Sequence, residues 1–131
     1  MTGLQVILII EDNARNLKLV RDILNHVGYA TVEADNAEDG LALARAQRPD
    51  LVLMDVQLPG MNGVEALGRL RADPLTADIP VVALTAFAMK DDRDLLLAVG
   101  FDAYVEKPLN VREFPSQIAA VLRRADMGSR T

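Results

Sequence analysis

The sequence predicts an α/β domain built on a five-stranded, doubly wound parallel sheet. Two observations carry this reading. Short continuous apolar runs, such as Val6-Ile-Leu-Ile-Ile10 and Val81-Val-Ala-Leu84, recur along the chain and have the character of strands buried on both faces. Segments of helical period alternate with them, and Gly, Pro and Asn mark the junctions.

The first strand is read over residues 5–10 and the first helix over about 14–27. There Leu17, Val20, Leu24 and Val27 recur at spacings of three and four and form one apolar stripe. Gly28 ends that helix, where left-handed backbone costs a glycine least. A short second strand lies near 31–34. Asn36, with Asp39 three residues on, starts a helix that Leu41 and Ala44 carry to about residue 47. Pro49-Asp50 turns the chain into the third strand, Leu51-Val-Leu-Met54. Residues 58–63 read as a loop by their Pro and Gly content, and Asn62 with Glu65 caps a third helix carrying Val64, Leu67 and Leu70. Asp73-Pro74 stops it.

The fourth strand is 81–84, the fourth helix spans about 89–99 and closes at Gly100, and the fifth strand lies near 103–105. Asn110 with Glu113 could cap the last helix, whose stripe is Phe114, Ile118, Val121 and Leu122. With that cap, Pro115 falls beyond the first turn and removes a backbone donor, so the helix either starts later or is kinked. Residues 125–131 lack periodicity and are expected to form a short flexible tail.

Composition narrows the function. A chain of 131 residues, half of them hydrophobic, supports one domain with a real core. Nineteen acids against 14 bases give a net charge of -5, which argues against direct nucleic-acid binding. Without cysteine there are no disulfides, thiolate metal sites or cysteine nucleophiles, and a reducing compartment fits. No run is long enough to span a bilayer and the start lacks a basic signal region, so the expected location is the cytoplasm.

Ligands of parallel sheets bind at the carboxyl ends of the strands, and the chain places chemistry there. Glu11-Asp12 follow the first strand, Asp55 the third, Thr85 the fourth and Lys107 the fifth. Five βα units can wind in several orders. The flavodoxin-like order 2-1-3-4-5 makes the first and third strands neighbours, so that Asp12 and Asp55 face each other. Two like charges about 4 Å apart repel by about 4 kcal/mol at an effective dielectric near 20. A hard divalent cation such as Mg²⁺ would offset this, with Lys107 adding positive charge. Acids, a metal, a hydroxyl and an ammonium suit phosphoryl transfer, with a carboxylate as nucleophile.

Five pieces in order resemble the receiver domain of response regulators, the phosphoacceptor half of two-component signalling. They are Ile10-Glu-Asp-Asn13, Leu53-Met-Asp-Val-Gln-Leu-Pro-Gly60, Met61-Asn-Gly63, Ala83-Leu-Thr-Ala86 and Glu106-Lys-Pro108. The resemblance spans about residues 6–122. It implies a CheY-like α/β/α sandwich with strand order 2-1-3-4-5, a receiver domain over 1–124 and a tail over 125–131. Asp55 resembles the phosphorylated aspartate. Glu11 and Asp12 resemble the acidic pair that holds Mg²⁺ with Asp55, and the backbone carbonyl of Gln57 would complete the set. Thr85 resembles the hydroxyl that turns toward the phosphoryl group, Lys107 the lysine that pairs with it, and Tyr104 the aromatic switch. The resemblance also implies a cis bond at Lys107-Pro108, and a phosphoryl lifetime set by residues near the site such as Gln57 and Phe87.

The segment Thr85-Ala-Phe-Ala-Met-Lys90 is similar to stand-alone cell-cycle receivers of the DivK type. The implied partners are a histidine kinase or histidine phosphotransfer protein upstream and a protein downstream, met through the face of the fourth helix, fifth strand and fifth helix. The protein would be a monomer or a phosphorylation-dependent dimer, and no enzyme beyond its own phosphorylation and slow dephosphorylation. A free-standing regulator and a domain cut from a larger response regulator or hybrid kinase are both open. A phosphohydrolase of the haloacid-dehalogenase type would want a second acid two residues after Asp55, where Gln57 stands. A flavodoxin would want a phosphate loop where Glu11-Asp12-Asn13 stand. His26, in mid-helix, is read as a packing or surface residue, and the run 90–94 as the solvated first turn of the fourth helix.

Overall fold

In the computed structural model the described residues are 4–86 and 89–128. Five strands alternate with five helices. They are β1 (Val6–Ile10), α1 (Ala14–His26), β2 (Ala30–Ala34), α2 (Ala37–Gln47), β3 (Leu51–Asp55), α3 (Gly63–Ala72), β4 (Val81–Thr85), α4 (Lys90–Ala98), β5 (Ala103–Glu106) and α5 (Phe114–Gly128). All pairings are parallel and the order is β2-β1-β3-β4-β5, as expected.

Side chains of a strand alternate between its faces, and each face holds its own core. Leu8, Ile10, Val52, Met54, Val81 and Ala83 pack on one side with Ala44, Leu67, Leu70 and Leu96 of α2, α3 and α4. Ile7, Ile9, Leu51, Leu53, Val82 and Leu84 pack on the other with Leu24 of α1 and Phe114 and Ile118 of α5. Register then fixes the sheet edge. Ile10 pairs with Met54, which sets Glu11 level with Asp55. Asp55 pairs with Leu84, and Thr85 pairs with Glu106.

Several local expectations are corrected. Val27 is the C-cap of α1 and is exposed, so it leaves the apolar stripe; Gly28 follows at φ 105°. Val64 is likewise exposed. The α2 helix ends on Arg48 in the left-handed region, φ 44°, where its N–H reaches Ala44 O before Pro49 turns the chain. Of the two outcomes for Pro115, the later start holds. Asn110 Oδ1 accepts the N–H groups of Arg112 and Glu113 and so caps a separate turn, while α5 begins at Phe114. Pro115 thus sits in the first turn, where no intrahelical donor is needed. The α5 helix continues through Gly128 and so takes in residues 125–128, the start of the expected tail; residues 129–131 lie outside the described residues.

The far edge of the molecule is closed by Arg71 of α3. Its guanidinium donates to the carbonyls of Ala77 (3.1 Å), Ile79 (2.6 Å) and Gly100 (3.2 Å) and to Asp102 Oδ2 (2.9 Å). The same Asp102 oxygen accepts the N–H of Val81 at 2.7 Å, which anchors the start of β4.

Candidate functional site

The carboxyl ends of β1, β3, β4 and β5 bring the expected residues together. Glu11 is fully buried, Asp55 and Thr85 are nearly so, and Asp12 is exposed at the mouth. Oxygens of Glu11, Asp12 and Asp55 all lie within 4.8 Å of one another. Lys107 reaches over from the end of β5, placing Nζ 2.6 Å from Asp55 Oδ2 and 2.9 Å from Glu11 Oε1.

Each group is held by local backbone. The N–H of Glu11 bonds to Ala34 O of β2, and its Oε2 accepts the N–H of Asn13 at 3.2 Å. Asn13 in turn caps α1 by accepting from Arg15 and Asn16, so the acidic pair sits where the helix N-terminus favours negative charge. Asp55 Oδ1 accepts the N–H of Gln57 at 2.8 Å. Gly63 lets the loop after β3 close. A Cβ there would stand 2.8 Å from Val56 Cα and 2.9 Å from the carbonyl oxygen of Asp55. The N–H of Lys107 bonds to Thr85 O at 2.8 Å, ahead of a cis Lys107–Pro108 bond.

The electrostatics are strained in one direction. Burial, reinforced by the adjoining Asp55 carboxylate, pushes the Glu11 carboxyl up to about 7 despite Lys107. For Lys107, burial works against the charge, but the carboxylates of Asp55 and Glu11 outweigh it and raise the pKa. Glu11 Oε1 is buried and has no hydrogen bond, since the nearby ammonium is close enough for an ion pair but not aligned to donate. A buried acceptor in an acid cluster that, among the described residues, pairs with Lys107 alone is a fit for a hard metal ion, whose ligands are carboxylate and carbonyl oxygens.

Tyr104 is half-buried on β5, the edge strand, and packs against the α2–α3–α4 core. Its hydroxyl accepts from Arg93 of α4 at 3.1 Å, and the guanidinium carbon lies 5.7 Å from the ring centroid. Arg93 is absent from the sequence-based candidates because the run 90–94 reads as a solvated turn. The signal was its spacing: Arg93 precedes buried Leu96 by three residues and shares its helix face. His26 is exposed at the end of α1, away from these groups. Phe87 lies outside the described residues.

The chain is similar to known proteins. The family model described as the response regulator receiver domain matches residues 7–119. A polar-differentiation response regulator DivK of Brucella anthropi is 44% identical over 116 residues, covering 88% of this chain and 94% of the relative. A CheY-like response regulator receiver domain protein of Methanospirillum hungatei superposes with a TM-score of 0.86 at 30% identity, over 96% of this chain and 99% of that one. The receiver domain of a Pseudomonas aeruginosa sensor histidine kinase, solved with a magnesium ion coordinated in its active site cleft, gives 0.79 at 32% identity, over 94% and 97%.

Proposed function

We propose, for a chain that belongs to the response regulator receiver domain family and is thus a two-component signalling domain, that Asp55 is the phosphoacceptor. The donor is a histidine kinase or a histidine phosphotransfer protein. The observation that carries this reading is the meeting of Asp55 with Glu11, Asp12 and Lys107 at the strand ends. An Asp55 oxygen attacks the phosphorus of a phosphohistidine. The new O–P bond forms as the P–N bond breaks, and the imidazole leaves with the electron pair. The Gln57 N–H and Lys107 orient the carboxylate, and the Lys107 ammonium stands where charge accumulates on the transferring oxygens. Glu11, Asp12, Asp55 and the carbonyl of Gln57 are the residues that would hold Mg²⁺, which when bound neutralises part of that charge.

The modified aspartate carries an added charge of about -1.5 to -2. It draws the hydroxyl of Thr85 and the ammonium of Lys107, and Tyr104 responds with them. Turning such a switch from 1:99 to 99:1 needs about 5.5 kcal/mol of differential interaction. The output is a change in protein binding on the face of α4, β5 and α5; Met89, Leu95 and Leu97, at and along α4, are exposed apolar side chains. The only chemistry of the domain is its own phosphorylation, also from small phosphodonors, and slow loss of that group. We read 1–124 as one cytoplasmic receiver unit, a monomer or phosphorylation-dependent dimer that does not contact nucleic acid. Among the described residues no helix is long and apolar enough to cross a membrane.

The test is labelling by radioactive acetyl phosphate with Mg²⁺. Asp55→Asn should abolish the label, and undiminished labelling of that variant would refute the assignment.

A further inference from the structure

The run 90–94 puts Arg93 among three acids, Asp91, Asp92 and Asp94, yet none of the ion pairs of the described residues includes it. Its guanidinium goes to Tyr104, donating to the hydroxyl and lying over the ring. Both side chains are half-buried, so the contact is partly shielded from water. Tyr104 pairs with Ala83 on β4, two residues before Thr85, and precedes Lys107 by three. The contact therefore joins α4 to the strand that delivers the pocket's lysine.

We infer that Arg93 is a positioning residue that clamps Tyr104 to α4 and couples the ring's position to the state of the Asp55 pocket. This rests on the phosphoacceptor reading of Asp55. In the unmodified protein the clamp favours the ring position seen here. Any movement of Tyr104 that follows modification of Asp55 must break or re-form a contact with Arg93, so α4 takes part in the same transition. A population can be shifted only by interactions that differ between the two states, and this contact is one that the ring's movement alters.

The chain has two tyrosines and no tryptophan, so Tyr29→Phe leaves Tyr104 as the sole emitter. In that background, acrylamide quenching reports access to the ring. Arg93→Ala should raise the quenching constant about threefold, within the range of a partly exposed cation–ring contact. Arg93→Lys, which keeps a charge and a donor, should fall between, and Asp94→Ala on the same helix should match the parent. A quenching constant unchanged in Arg93→Ala overturns the clamp. Acetyl phosphate with Mg²⁺ should then change Tyr104 emission in the parent, and Arg93→Ala should lose at least about half of that change. Equal responses with Asp55 labelled in both proteins overturn the coupling alone. A parent that takes no label sinks the phosphoacceptor reading, and the coupling with it.

Discussion

Removing one acid from the pocket should stabilise the protein while disabling it. Asp12→Asn keeps size and shape and deletes one charge. Its carboxylate lies within 4.8 Å of those of Glu11 and Asp55. One such pair repels by about 3.5 kcal/mol at an effective dielectric near 20. That figure is an upper bound here. Asp12 is exposed, Lys107 already compensates the other two acids, and part of the Glu11 population carries a proton near neutrality. A gain of about 1 kcal/mol is left, or roughly 3 °C in the unfolding midpoint for a domain of this length. The assay is thermal unfolding in EDTA and again in millimolar Mg²⁺. The parent should be the less stable protein in EDTA and should gain more from Mg²⁺, because ligand binding to the native state adds stability by mass action. A lower midpoint for Asp12→Asn in EDTA, or an equal rise of both proteins on adding Mg²⁺, would refute the argument from crowded charge.

Three further outcomes are expected. Gly63→Ala puts a methyl against the backbone of Asp55 and Val56, which cannot yield as a side chain tip can. It should cost about 1–3 kcal/mol by calorimetry and slow labelling of Asp55, whereas Gly68→Ala, in open space on the same helix, should gain up to about 1 kcal/mol. Arg71→Met removes donors to three carbonyls and to Asp102, and urea unfolding should show a loss of about 2–3 kcal/mol with Asp55 labelling retained at low temperature. Mg²⁺ binding should weaken about tenfold between pH 8 and pH 6 by titration calorimetry, because the proton that Glu11 holds up to about pH 7 must leave first. In metal-free protein the sign is also set. The folded state keeps that proton above the ordinary value of 4.5, so Glu11's contribution to stability falls as pH rises from about 4.5 to 7. A pH-independent Mg²⁺ affinity would contradict the placement of Glu11 in the metal site.

The sheet and its pocket were legible because both depend on short-range patterns. A continuous apolar run has few uses besides a strand covered on both faces, and residues just past such runs must meet at one edge. Where tertiary contacts decide, the sequence was less informative. Arg48 adopts left-handed backbone at the C-cap of α2, where a glycine would have announced it. Asn110 and Glu113 resemble a capping pair, and Asn110 does cap, but the turn it serves is separate from α5. Val27 fits the α1 stripe by period yet lies past the last helical turn. Arg93 was hidden by its acidic neighbours, since charge density suggests solvent while its face of the helix is set by Leu96.

Lys107 starts at the border of the sheet, where its own N–H is fastened to Thr85, and its ammonium ends among the acids of the two central strands. The stem leans inward from beyond β5, past the end of β4, and the carboxylates at the ends of β3 and β1 meet its ammonium. Adding negative charge at the middle re-weights a tether whose far end is main chain at the rim. Lys107 is thus one covalent arm by which a change of charge in the interior would reach the rim of the sheet.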